Sequence, residues 1–353
     1  MREYGSEHPL QVLPDGYLEN FSRFGHTIWL RSGREGLYYI ALEIKTKVSP
    51  IILFPSYCCW SMSAPFSKAG WQIIYYRLNS DLTVDVDYLE YLLKAYQPGA
   101  VLTMNFYGSA DTSEAISIIK KISPASICIE DFSHCTFSFE KIYNNNVDFY
   151  VTSVRKSIGI TDGAIVISKF DLDSGFIVCD TTLFTMNRKI AQQSKLHYFF
   201  SNSDVEKKDY LSLLRTEEHR LDEFSSVYSV SDIGRLMMSA VNGQEIRYAR
   251  STNMHHAIEL LKGKIKMIPG IEKSIDGAPF SLPILVEERD NVQQKLARRG
   301  VYAPVLWPLC NDARSVCRTS AYISDHILSL PIDQRYSYND IEDMASIVLE
   351  ICI

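Results

Sequence analysis

Between residues 35 and 168 the chain alternates short apolar runs with longer amphipathic stretches, and few architectures accept that order. Ile51–Phe54, Ile73–Tyr76, Ala100–Asn105, Ile127–Asp131, Phe149–Ser153 and Ala164–Ser168 have the length and composition of buried strands. The stretches at 35–46, 59–69, 86–97 and 112–123 predict helices; in the third, Val86, Leu89, Leu92 and Leu93 fall at helical spacing. Strand followed by helix, repeated, implies a mostly parallel sheet covered on both faces, and so an α/β fold.

The rhythm then changes. Residues 187–225 are polar and charged, which predicts helices over a face or a mobile segment. Residues 233–263 predict one long helix with Leu236, Ala240, Ile246, Ala249 and Ala257 among its small or apolar positions, and Pro269-Gly270 ends that region. From residue 277 the pattern is strand, helix, strand and a last helix at 338–352, for which Ser337 and Asn339 are candidate caps. A chain of 353 residues is long for one core, so a large domain over 1–235 and a smaller one over 236–353 are expected, the second made of the long helix and an α+β tail.

Composition narrows the partners. A hydrophobic fraction of 46% allows a sizeable core, and a net charge of -6 gives no reason to expect nucleic acid or an anionic membrane surface. No apolar run reaches the roughly 18–20 residues that span a bilayer. The N-terminal stretch MREYGSEHPLQVLPDG has no apolar leader segment, so the cytoplasm is the expected compartment. There the eight cysteines stay reduced; none form a Cys-x-x-Cys pair, and adjacent Cys58 and Cys59 diverge too much to share a metal, so no metal site is expected.

The chemistry centres on Lys156. It follows the strand expected at Phe149–Ser153 and precedes Ile158-Gly159-Ile160-Thr161-Asp162-Gly163, a glycine-containing turn before the next strand. Ligands of α/β sheets sit at the carboxyl ends of strands, and a lysine there can form a Schiff base with an aldehyde cofactor. Taken singly, a lysine is far more often a solvated surface group. Asp131 ends the strand Ile127–Asp131, 25 residues earlier, where an anion can pair the ring nitrogen of a pyridine cofactor or, more commonly, cap the following segment. Glu130 is its neighbour; strand neighbours face opposite sides, so only one of the two faces the pocket. His134 can hydrogen-bond the cofactor's ring oxygen, stack near its ring, or be satisfied by local backbone. Ser32-Gly33-Arg34-Glu35-Gly36-Leu37 opens a helix, and free N–H groups at a helix start with a glycine among them suit a phosphate. Ser153 can add its hydroxyl to the same anion.

In this order the pieces resemble the DegT/DnrJ/StrS family of sugar aminotransferases, which depend on pyridoxal 5'-phosphate (PLP). Ser32–Leu37 resembles the family's Ser-Gly-Thr-x-Ala-Leu turn, and Leu53-Phe54-Pro55-Ser56-Tyr57 its Val-Pro-x-Phe/Tyr segment. Asn105-Phe106-Tyr107-Gly108 with Asp111 resembles Tyr-Gly-x-x-x-Asp. Ile129-Glu130-Asp131-Phe132-Ser133-His134 resembles Ile-Glu-Asp-x-Ala-Gln/His. Ser153–Gly163 resembles the serine, lysine and Asp/Glu-Gly segment, and Leu330-Pro331-Ile332 the Leu-Pro-(Ile/Met) before the last helix.

The resemblance covers most of the chain and implies the PLP-dependent transferase fold type I, a large domain with a mostly parallel mixed sheet plus a small C-terminal α+β domain. It implies Lys156 as the lysine that carries PLP and moves protons, Asp131 at the pyridine nitrogen and His134 beside the ring oxygen. Backbone N–H groups of Gly33 and Arg34, with the Ser153 hydroxyl, would hold the phosphate; Cys59 or Trp60 would cover the ring. The implied reaction passes an amino group from an amino acid, with glutamate the expected donor, to a keto-sugar joined to a nucleotide, in a homodimer that serves polysaccharide or antibiotic sugar synthesis. Three residues are substrate candidates: Arg155 for an anionic group or else a surface salt bridge, Arg335 for a donor carboxylate or else a turn, and Trp307 for the cleft or else the core. The chain departs from the family in placing serine three residues before the lysine instead of five, in Arg34 for threonine, and in lacking an evident Gly-x-Asn-Tyr-Arg segment between 185 and 240. Other PLP chemistry on sugars (dehydration or epimerisation) and a non-catalytic relative are the alternatives. The lysine at 156 speaks against the dehydratase branch, in which histidine replaces it.

Overall fold

All six expected strands pair into one sheet, joined by a seventh that no apolar run announces. The computed structural model describes residues 2–10, 20–175, 177–179, 183–223 and 225–353; positions 11–16 of the polar N-terminal stretch lie outside the described residues. The strands are β1 (His26–Leu30), β2 (Ile51–Pro55), β3 (Gln72–Tyr76), β4 (Ala100–Met104), β5 (Ile127–Asp131), β6 (Phe149–Thr152) and β7 (Ala164–Ser168). Their order is β1-β7-β6-β5-β4-β2-β3. The pairs from β6 across to β3 are parallel. Only β7 runs against the others, antiparallel to β6 on one side and β1 on the other. β4, β6 and β7 are buried along their whole length, which is why they read as continuous apolar runs. β1 is an edge strand with an exposed His26 and half-buried centre, so its sequence carries no such run.

The four expected helices form within two residues of their expected bounds: α1 (Gly33–Ile44), α2 (Trp60–Lys68), α3 (Val86–Tyr96) and α4 (Ser113–Ile122). Ser32 caps α1 by accepting from the Glu35 N–H. The inner face of α1 lies close to the sheet at Gly36. A Cβ there would sit 3.0 Å from Val151 Cγ2 and 3.1 Å from Val166 Cγ2. That close approach seats the start of α1 beside the carboxyl end of β6.

The polar segment folds as helices, α5 (Phe184–Ser201) and α6 (Asp204–Asp222), which close on a small core of their own at Ala191, Tyr198, Tyr210 and Leu214. The single helix expected over 233–263 is two: Asp232–Ser239, then α7 (Gly243–Leu261). The break has a local cause, since the Asn242 side chain accepts from the Glu245 N–H and starts a new helix at Gly243. A three-stranded antiparallel sheet forms from β8 (Lys266–Met267), β9 (Leu282–Leu285) and β10 (Ile327–Leu330), with Gly270, whose φ of 76° suits a glycine, in the turn after β8. The last helix, α8 (Tyr338–Cys352), opens on a capping box between Ser337 and Asp340; Asn339 lies inside the helix and does not cap it. Near the N-terminus, Tyr4–Gly5 pairs in parallel with Val301–Tyr302, which brings Glu7 and His8 to the boundary between the two sheets. Among the described residues no helix is long and apolar enough to cross a membrane.

The tight seat of α1 gives a packing test. Gly36→Val forces added methyls against Val151 and Val166 and is expected to lower stability by about 1–3 kcal/mol in urea unfolding, with the midpoint moving and the slope unchanged.

Candidate functional site

β5 and β6 are neighbours, with Asp131 opposite Val151, so their carboxyl ends open at the same place. Side chains lace those ends together. Asp131 Oδ1 accepts from the Ser133 N–H at 2.8 Å, and Ser133 Oγ accepts from the Ser153 N–H at 3.0 Å. The Thr136 and Thr152 hydroxyls meet at 2.6 Å. Strand alternation divides the two acids as expected. Glu130 faces away and accepts from the Thr112 hydroxyl at 2.6 Å, whereas Asp131 lies in the field of the Lys156 ammonium. Burial raises the Asp131 carboxyl above its usual range, and the nearby ammonium opposes that rise.

His134 is neutral. Burial first, and then the Lys156 charge, lower its pKa to about 3. Its Nδ1 accepts from the Tyr107 N–H at 3.3 Å, so the ring proton sits on Nε2. Tyr107 takes a left-handed φ of 56° within the turn after β4, and this aims its N–H at the imidazole. The imidazole stacks with Phe280, at 5.0 Å and 5° between planes, and with Trp307, at 5.3 Å and 26°. Stacking partners from within the chain therefore already occupy His134, leaving its edge available to a ligand.

Lys156 closes the short turn Val154–Lys156 after β6. It is half-buried, and its ammonium makes no hydrogen bond among the described residues. It lines a cavity of about 540 Å³ together with Glu7, His8, Arg250, Phe280 and Arg335. The loop that follows is held by side chains from distant elements. Arg250 and Gln334 donate to the Ser157 carbonyl at 2.9 and 3.0 Å, Gln192 to that of Ile160 at 3.0 Å, and Arg188 to that of Thr161 at 2.8 Å. The Asp162 carboxylate accepts from the Ser231 N–H and hydroxyl, both at 2.7 Å.

Beside this lysine turn is the start of α1. A Cβ on Gly33 would come 3.1 Å from Ser153 Cβ and 3.6 Å from its Oγ, so a side chain there would fill the space between helix and serine. Ser153 Oγ is buried without a partner. Unpaired helix N–H groups, a buried hydroxyl lacking a partner and a missing Cβ make a cradle that fits a phosphate.

The remaining sequence candidates separate. Arg155 is buried and not a surface group; it holds both Glu218 carboxylate oxygens, at 2.6 and 3.1 Å. Arg335 lines the lysine cavity, but its guanidinium is paired to Asp333 at 2.7 and 2.8 Å. Trp307 is buried against His134 and Tyr57. Cys59 precedes α2 and accepts from the Ser61 hydroxyl at 3.0 Å. Trp60 is 57% exposed and lies along a different depression with Trp71 and Tyr75, so it is not among the residues lining the lysine cavity. His8, Arg250 and Phe280 line the lysine cavity and Glu218 holds Arg155, and the sequence pattern singled out none of them. Each comes from a segment more than sixty residues from Lys156 or from the far N-terminus, and none sits in a local motif that marks it.

No family model matches the chain, and no curated protein matches it by sequence. Solved structures match over nearly its whole length. Helicobacter pylori PseC, an aminotransferase involved in the biosynthesis of pseudoaminic acid, aligns with a TM-score of 0.69 at 15% identity over 99% of each chain. A DegT DnrJ EryC1 StrS aminotransferase from Brucella abortus aligns at 0.61 and 14%, over 95% of this chain and 91% of that one. The fold is that of the DegT/DnrJ/StrS aminotransferases. The sugar aminotransferase CalS13 from Micromonospora echinospora shares it as well, at 0.62 and 11% over 97% and 99% of the two chains. The expected fold type I, with its mixed α/β sheet, is thus the fold found.

The division of labour between the two acids of β5 gives a pH test. Burial raises the Glu130 carboxyl from 4.5 to about 7, even though the Thr112 hydrogen bond opposes it. The folded chain then binds more protons at Glu130 than the unfolded chain between those values, so this group's contribution to stability falls as pH rises through that window. Glu130→Gln removes the dependence. Relative to the variant, the natural chain is expected to lose on the order of 1–3 kcal/mol between about pH 5 and about pH 8 in urea unfolding.

Proposed function

We propose that the chain is a PLP-dependent aminotransferase that passes an amino group from an amino acid, glutamate by expectation, to a keto-sugar joined to a nucleotide. The observation that carries this reading is the convergence of Lys156, Asp131 and a neutral His134 at two adjacent strand ends, beside the unpartnered Ser153 hydroxyl and the start of α1. When bound there, PLP supplies an electron sink for charge developing at the substrate carbon.

The chain's own residues would divide the work. The Lys156 amine, which has no competing hydrogen bond among the described residues, attaches the cofactor and later moves the proton at the substrate carbon. Asp131, whose carboxyl burial raises against the opposing effect of the neighbouring Lys156, would pair the ring nitrogen. His134 donates from Nε2 to the ring oxygen. Backbone N–H groups of Gly33 and Arg34, with the Ser153 hydroxyl, hold the phosphate. The exposure of Trp60 favours Cys59 as the residue over the ring. On the substrate side, Arg155 and Arg335 are already engaged by Glu218 and Asp333, and Trp307 acts through His134. The donor carboxylate is then left to residues of a second copy, and we take the working form to be a cytoplasmic homodimer. The split into domains at about residue 235 belongs to the same reading.

Borohydride reduction of PLP-treated protein tests it. The cofactor is expected to be fixed to the peptide that contains Lys156, and Lys156→Ala is expected to lose both the label and roughly a thousandfold or more of transaminase activity. Label on another lysine, or none at all, would remove the basis of the proposal. Failure to form 2-oxoglutarate from glutamate with any nucleotide-linked keto-sugar would count against the substrates alone.

A further inference from the structure

Alternation along β1 separates two faces of the sheet. Leu30 turns toward α1, where a Cβ on Gly36 would lie 4.0 Å from its Cδ1, so Thr27 and Trp29 turn to the opposite face. On that face a cavity of about 660 Å³ opens between β1, the segment after His134 and the start of α7. It shares no described lining residue with the cavity around Lys156, and the phosphate cradle belongs to α1, on the other face.

The walls combine aromatic rings with one uncompensated charge. Trp29, Phe21 and Phe137 supply the rings. Arg23 is neutralised by an ion pair with Glu140, the one acid among the described lining residues. Arg247, in the second turn of α7, is half-buried and makes no hydrogen bond or ion pair among the described residues. The Trp29 indole N–H and the Gln244 amide are likewise unengaged there, and Ser138 has a buried hydroxyl with no partner. Apolar walls, a few convergent polar groups and a volume within roughly 300–1,000 Å³ suit a small organic ligand. The charge of Arg247 calls for a monoanion, and its planar donor edge matches a carboxylate in two-pronged geometry.

We propose that this cavity is a second ligand site, which takes a small aromatic carboxylate: the ring lies against Trp29, Phe21 and Phe137, and Arg247 holds the carboxylate. The site stands independently of the cofactor assignment. It adjoins the machinery around Lys156 without entering it. Arg250 follows Arg247 by one turn of α7 and donates to the Ser157 carbonyl, and Thr136, in the cavity wall, meets the Thr152 hydroxyl at the end of β6.

Indole-3-acetate is the probe, titrated by calorimetry, with indole-3-acetamide as its uncharged counterpart. The natural chain is expected to bind the acid in preference to the amide. Arg247→Gln is expected to bind the acid at least about tenfold more weakly, through loss of a charge-assisted contact. Gln244→Trp, at an exposed position on the cavity wall, is expected to fill the space and abolish binding while Arg247 stays in place. Lys156→Ala is expected to bind the probe as the natural chain does. No binding at millimolar probe, equal affinity for acid and amide, or unchanged affinity in either cavity variant overturns the site. Loss of binding in Lys156→Ala puts the probe in the lysine cavity and overturns it as well. Should a cavity variant fail to fold, the Trp29 indole N–H resonance of the natural chain decides: it is expected to shift on addition of the acid, and an unmoved resonance overturns the proposal. Failure of PLP to attach at Lys156 leaves all these expectations as they are, so the two readings fail separately.

Discussion

Arg250 is the contact on which the geometry around Lys156 depends. It is fully buried, and its four bonded acceptors are all neutral: Gln334 Oε1 and the carbonyls of Pro279, Phe280 and Ser157. Burying a guanidinium without a counter-ion in direct contact costs several kcal/mol unless its N–H groups are all met, and here the protein meets them with backbone oxygens. Burial lowers its pKa to about 10, with Asp333 opposing that fall, so it remains charged. One side chain of α7 thereby fixes the residue after Lys156 and the segment that carries Phe280. The lysine turn and the segment leading into the small antiparallel sheet are thus bridged by one planar group, with Gln334 bonded to the same Ser157 carbonyl.

Other buried charges follow a different rule and carry their own partners. Arg335 and Asp333 form a two-pronged pair, which holds the Asp333 carboxyl far below its usual range against the effect of burial. Arg155 is likewise held by Glu218. The cavity around Lys156 thus has a wall of cations whose donors are largely spoken for, and a lysine whose ammonium is not.

Much of this was legible in the sequence because it depends on neighbours in the chain. β2 to β7 are apolar runs, and Asp131, Ser153 and Lys156 stand just at or after strand ends, where order and spacing reveal them. β1 escaped because an edge strand need not be apolar. The break at Asn242 escaped because a cap inside a helical pattern costs the pattern nothing. Glu218, Arg250 and Phe280 escaped for a deeper reason: each is placed by what it touches across more than sixty residues of chain, and hydrophobic periodicity carries no record of such contacts. Arg155 and Arg335 were legible as arginines, but their acid partners were not, and the partners decide what those arginines are free to do.

The aromatic contacts around His134 have a consequence for how its own ring is set. With Phe280 and Trp307 against its ring and Nδ1 engaged by Tyr107, the imidazole has one remaining polar feature, an N–H vector in its own plane. Turning that ring over would set its N–H against the Tyr107 N–H and lose the acceptor, so the imidazole is held in one of its two flips. The orientation of the His134 N–H is therefore decided by the backbone of the turn after β4 and not by the histidine itself.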